Sequence, residues 1–174
     1  AFVASANPSE SAQATNPRAT FRDLINSRSG SIRVSLTSGN PTMRIGQDSL
    51  DLTVSTDKPG YLTLFYLGSD GQTIDVLFPN DLDSNDYIQP GTHKLPRSNW
   101  RLKAGGPAGT NQVVAFVSAE KKDFKKYTVK KGAFSSAKST ALFSRNLLVE
   151  ATGGAGDCKN LTPVGCGVFG ASEI

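Results

Sequence analysis

The sequence predicts a mainly β protein built as an antiparallel β-sandwich. Three observations point to it. Short apolar runs alternate with turn residues between Gly60 and Ser118, the signature of strands joined by hairpins. Strand-like segments recur along the chain with no strand–helix–strand rhythm of the kind a parallel sheet needs. Eight or nine short strands with only a few short helices make Greek-key connections of the immunoglobulin-like kind the default.

The first sixteen residues are rich in Ala, Ser, Asn, Gln and Thr. They carry too little apolar surface to offset the entropy of ordering. Residues 1–18 are therefore expected to be a flexible linker or tail, and residues 19–174 a single domain. Thr20 is placed to cap a short helix over residues 21–28, with Phe21, Leu24 and Ile25 on one face and Gly30 to stop it. Ile32-Arg33-Val34-Ser35-Leu36 alternates with period two, as does Leu50-Asp51-Leu52-Thr53-Val54-Ser55; both predict half-buried strands.

Gly60 opens the dense run Tyr61-Leu62-Thr63-Leu64-Phe65-Tyr66-Leu67, expected to be a central strand covered on both faces. Ser69-Asp70-Gly71 is a hairpin turn, because Asp-Gly tolerates positive φ. Residues 74–78 form the return strand, and Pro79 ends it for want of an N–H. A polar, aspartate-rich loop covers residues 80–89. Further strands are expected over residues 92–95, 100–104, 113–118, 146–151 and 166–174, with a Gly/Pro loop at 105–109. Residues 119–131 and 134–143 read as helix-compatible connections. Trp100, Tyr61, Phe65, Tyr66, Phe78 and Phe116 read as core side chains, the alternative being that the exposed half of the set forms a groove.

Composition bounds the function. The chain has 174 residues and a formal net charge of +4, a mild basic bias short of the dense positive field of a nucleic-acid binder. No apolar run approaches the ~20 residues of a membrane-spanning helix. The first residue is alanine, which suggests a removed leader or a piece of a longer protein. Cys158 and Cys166 are separated by seven residues that include a proline and a glycine. The spacing suits neither a redox Cys-x-x-Cys pair nor, without a second pair, a zinc site. A disulfide closing a small loop is expected, worth about 2.5 kcal/mol in the chain-entropy model; the plain alternative is two unrelated buried thiols. The disulfide points to the periplasm or the outside of the cell.

Catalytic groups are sparse. The single histidine, His93, sits beside Lys94, where a solvated strand-edge residue belongs, and no Gly-x-Ser-x-Gly elbow presents a serine. No catalytic residue and no cofactor is assigned. Asp81, Asp83, Asn85 and Asp86 form a calcium-like spacing of oxygen ligands, but the EF-hand glycine and its terminal glutamate are absent. The plain alternative is a solvated loop with Asx-turns. Lys121, Lys122, Lys125, Lys126, Lys130 and Lys131 cluster within eleven residues that also hold Phe124 and Tyr127. On a short helix the two aromatics would face inward and the lysines outward. Such a face is either simply solvated or a patch for an anionic partner: an acidic protein surface, anionic lipid or cell-wall polymer.

The stretch 48–118 resembles a bacterial domain family known only as a domain of unknown function. The matching features are Gly60-Tyr61-Leu62, Asp70-Gly71, Leu77-Phe78-Pro79-Asn80, Gly91, Gly106-Pro107 with Gly109, and Val114-Ala115-Phe116. The resemblance implies a β-sandwich-like module, secreted or envelope-associated. Such modules often lie downstream of serine/threonine protein kinase or caspase-like peptidase domains, and some are encoded near type VI secretion genes. It implies no catalytic motif.

The expected function is a non-catalytic accessory domain of the periplasm or cell exterior. Its partners would be other envelope or secretion-system proteins, or an anionic cell-wall or membrane surface, and not nucleic acid. The alternatives are a cell-wall hydrolase using a carboxylate pair drawn from Asp75, Asp81, Asp83 and Asp86, and a calcium-dependent adhesion-type module.

Overall fold

A computed structural model describes residues 17–26, 31–40, 42–104, 109–122, 124–137 and 169–173. The helix α1 (Pro17–Asn26) comes first, followed by β1 (Val34–Ser38), β2 (Leu52–Thr56), β3 (Gly60–Leu67) and β4 (Ile74–Phe78). Then come β5 (Tyr87–Ile88), β6 (Gly91–Leu95), β7 (Gln112–Ser118), a 3-10 turn (Lys125–Tyr127), β8 (Thr128–Lys131), β9 (Phe134–Ala137) and β10 (Phe169–Glu173). All the strand pairings are antiparallel.

The strands form two sheets. The smaller has the order β1-β2-β6, and the larger runs β10-β7-β3-β4-β9-β8 with β5 added beside β3. Alternation along β3 gives each of its faces a separate core. Leu62 and Leu64 join Leu36, Leu52, Val54, Leu95, Val113, Ala115 and Val117 between the sheets. Phe65 and Leu67 join Val114 and Phe116 on the opposite side, beneath Phe21 and Leu24 of α1 and beside Phe124. The central strand is thus buried on both sides, as its unbroken apolar run predicts. Gly60, at its start, touches β7 so closely that a Cβ there would stand 2.7 Å from the Ser118 carbonyl oxygen.

Two local features set up the loop after β4. In the β3–β4 hairpin, Asp70 Oδ1 accepts the N–H groups of Gln72 and Thr73 at 2.8 and 2.9 Å. The Gln72 bond, then those to Thr73, hold its carboxyl below the usual carboxylate range. Further on, Leu64 pairs with Phe78 but Phe65 with Val76, so Leu77 is the extra residue of a β-bulge, which bends a strand and re-aims its later side chains. Ile74 and Val76 therefore lie on the same side of the sheet as α1, whereas Leu77 and Phe78 both enter the core between the sheets.

Several expectations are corrected. The helix starts at Pro17, a residue whose fixed φ suits a first helical position, so Thr20 lies inside it rather than capping it. The first strand begins at Val34, although Ile32 is buried as expected. Residues 100–104 are not a strand but make an isolated bridge, Ser49 to Lys103, while the Trp100 ring fills the core between the sheets. The region 119–131 is a 3-10 turn and β8 rather than a helix, and Phe134 opens β9. The reason is local: Gly132, at φ 64°, starts a two-residue turn that pairs Lys131 with Phe134. Phe124 and Tyr127 nonetheless face the second core. The end of the chain does supply a strand, β10, alongside β7. Residues 1–16, the expected strand 146–151 and the cysteines Cys158 and Cys166 lie outside the described residues, as do residues 105–108 and 138–143. Among the described residues no helix is long and apolar enough to cross a membrane.

Candidate functional site

Beyond the reach of Phe21 and Leu24, the helix-side face of the large sheet floors a cleft of about 570 Å³, within the size range of ligand pockets. Thr63 of β3 and Val76 of β4 form its base, with Pro79 and Phe124 as apolar walls. Ser84 and Asp86 come from the loop after β4, and Lys121 and Lys122 from the segment after β7. The Phe124 ring is fixed by edge contacts to Phe65 and Phe116, with centroids 5.0 and 5.3 Å apart. The Thr63 hydroxyl, on a residue only 7 % exposed, has no hydrogen-bond partner among the described residues.

The loop carrying Ser84 and Asp86 is held by a buried polar knot. Asn80 Oδ1 accepts the N–H groups of Leu82 and Asp83, both at 2.9 Å, and its amide donates to the Leu77 carbonyl at 2.8 Å. This is the Asx geometry that the loop's composition suggests. Asp83 is buried and accepts from Arg97 Nη1 at 2.9 Å and from the Trp100 indole N–H at 3.3 Å. Arg97 also donates to the Asn85 carbonyl at 3.0 Å and lies over the Phe78 ring, 5.1 Å from its centroid.

The aspartate loop and the lysine segment, read separately in the sequence, meet. Lys121 Nζ stands 3.4 Å from Asp86 Oδ1, and Lys130 Nζ 2.9 Å from Asp81 Oδ2. Lys131 Nζ lies 3.6 Å from Asp75 Oδ2. The ammonium of Lys121 also sits 5.7 Å from the Tyr61 ring centroid. Tyr61 in turn meets the exposed Tyr87 edge-on, with centroids 5.0 Å apart. Lys126 lies over the ring of Tyr127.

Of the four aspartates weighed for hydrolysis, Asp86 alone lines the cleft. Asp75, Asp81, Asp83 and Asp86 each contact a lysine or arginine. Among the described residues no three His, Cys, Asp or Glu side chains are grouped to hold a metal. His93 lies on β6, the edge strand of the small sheet, with Nε2 2.7 Å from the Gln89 carbonyl oxygen.

Sequence reasoning picked out Asp86, Lys121 and Lys122 but missed Thr63, Val76, Pro79 and Ser84 as cleft residues. Only the inward assignment of Phe124 within the lysine segment hinted at a wall there.

The fold and cleft define a β-sandwich domain with a recess on the outer face of its larger sheet. Residues 42–121 match the model of a family described as a domain of unknown function (DUF4384). That segment contains β2 to β7 and the cleft residues from Thr63 to Lys121, and it leaves out α1, β1, Lys122 and Phe124. Searches among curated proteins and among solved structures returned no match.

Proposed function

We propose that this domain is a non-catalytic accessory module of the periplasm or cell exterior that docks a partner protein in the cleft over Thr63 and Val76. It would serve an envelope-signalling or type VI secretion assembly. The observation that carries the reading is the cleft's composition: an apolar base and walls, two ammonium groups, two hydroxyls and one carboxylate already engaged by Lys121. A recess of this size and mixed lining suits side-chain recognition. A paired-carboxylate hydrolase would need a second carboxylate facing Asp86 across the cleft.

The test is site-specific photo-crosslinking in cells that produce the protein, followed by separation of envelope from cytosol. A crosslinking amino acid at Ser84 is expected to capture a discrete protein in the envelope fraction. The same group at Ile45, an exposed residue outside the cleft, is expected to capture none. Equal capture at both positions, or none at Ser84, would refute the docking role.

A further inference from the structure

The charge around the cleft is unevenly balanced. Lys130 and Lys131 are each matched by an aspartate. Lys122, half-buried at the cleft, has no ion-pair partner among the described residues. Lys121 shares Asp86 at 3.4 Å with its own side chain 65 % exposed, a longer contact than the ~2.7–2.9 Å of a close charge-assisted bond. Its ammonium can take a second carboxylate without leaving the first. Among the described residues, Lys121 and Lys122 therefore place positive charge at one side of the recess, against apolar surface from Val76, Pro79 and Phe124.

Resting on the docking role above, we propose that the occupant is an extended peptide segment of a partner protein in which an apolar side chain stands beside a carboxylate. The apolar group fills the space over Val76, Pro79 and Phe124. The carboxylate meets Lys122 and Lys121. The Thr63 hydroxyl, at the floor of the cleft, serves a backbone carbonyl or N–H of the peptide. Tyr61 shares a face of β3 with Thr63, and with Tyr87 it continues the surface as an aromatic shelf. A lipid surface fits this arrangement less well, because a flat bilayer cannot reach a recessed floor and is better met by a convex basic patch.

The test is panning of a phage-displayed random heptapeptide library on the whole domain, followed by fluorescence anisotropy with a synthesised winner. Enriched sequences are expected to place Asp or Glu beside a large apolar residue. Exchanging the acid for its amide, or making Lys122→Glu in the domain, should weaken binding about tenfold. An unchanged unfolding midpoint for Lys122→Glu guards against misfolding, and Lys122→Gln should lie between the two. The inference is overturned if no sequence is enriched, if winners lack an acid, or if they bind Lys122→Glu as well as the wild type. It is equally overturned if the domain sediments with anionic-lipid vesicles through Lys122 and selects no peptide. Capture at Ser84 alongside acid-free winners would sink the ligand chemistry and leave the docking role standing. Failure of both experiments would remove both.

Discussion

Replacing Asp83 by alanine should loosen the loop that builds one wall of the cleft, and the cost can be worked out from its contacts. Two hydrogen bonds disappear. The bond from Arg97 at 2.9 Å is charge-assisted, but the Arg97 side chain is 32 % exposed, so its worth falls near the low end of the ~1.5–3 kcal/mol range. The Trp100 indole N–H, on a residue 3 % exposed, loses its acceptor and would cost a further ~1–2 kcal/mol. The sum is about 3 kcal/mol, or a Tm lowered by about 6–12 °C for a domain of this size. Asp83→Asn keeps the volume and one acceptor oxygen and should lose about half as much. Urea unfolding monitored by fluorescence suits the measurement, because Trp100 is the chain's single tryptophan and lies within the network. A loss below about 0.5 kcal/mol for Asp83→Ala, within the scatter of neutral surface changes, would refute the structural role. So would an Asp83→Asn variant as unstable as Asp83→Ala.

Phe124→Ala should cost about 3 kcal/mol in the same assay, because a buried ring contacting Phe65 and Phe116 is removed; a neutral outcome would contradict its burial. Gly60→Ala should destabilise by about 1–3 kcal/mol, since the new methyl meets the Ser118 carbonyl and the Val117 side chain; unchanged urea unfolding would show that β3 and β7 are less closely apposed. Burial first, and then the charge of Asp75, raises the Tyr66 phenol above its ordinary 10.0. A group raised in the folded state stabilises the fold below its unfolded value, and that contribution is lost as pH climbs through the folded value. Stability should therefore decline above pH ~10, less steeply in Tyr66→Phe. Phenolate absorbance should show Asp75→Asn bringing the Tyr66 titration only part of the way back, because burial is the larger cause; full recovery would reverse that order.

The sequence made the centre of the fold legible because burial there leaves a dense signal. β3 and β7 are nearly continuous apolar runs, and Asp70-Gly71 fixes the hairpin between β3 and β4. The β8–β9 hairpin was hidden because both strands are only four residues long, β8 ending in two lysines and β9 centred on two serines, and only Gly132 betrays the turn. Residues 100–104 show a strand's alternation, yet only Lys103 is paired, and the segment serves mainly to seat the Trp100 ring. For the site, composition exposed the aspartates and the lysines as separate features. It could not show that they are counterions of one another: Lys121 and Asp86 are 35 residues apart, and only the folded sheet brings them together. Thr63 and Val76 went unnoticed because nothing in an apolar run tells which of its residues lies under helix and which under open space.

The boundary drawn by family likeness and the boundary drawn by physics differ here. A fragment trimmed to residues 42–121 would strip away the amphipathic segment carrying Phe21 and Leu24 along with the ring of Phe124. The reverse side of β3 and β7, with Phe65, Leu67, Val114 and Phe116, would then lie bare to water. Such a greasy plane invites self-association. Anyone preparing this module for binding work should keep its amino-terminal cover, or clumping will masquerade as recognition.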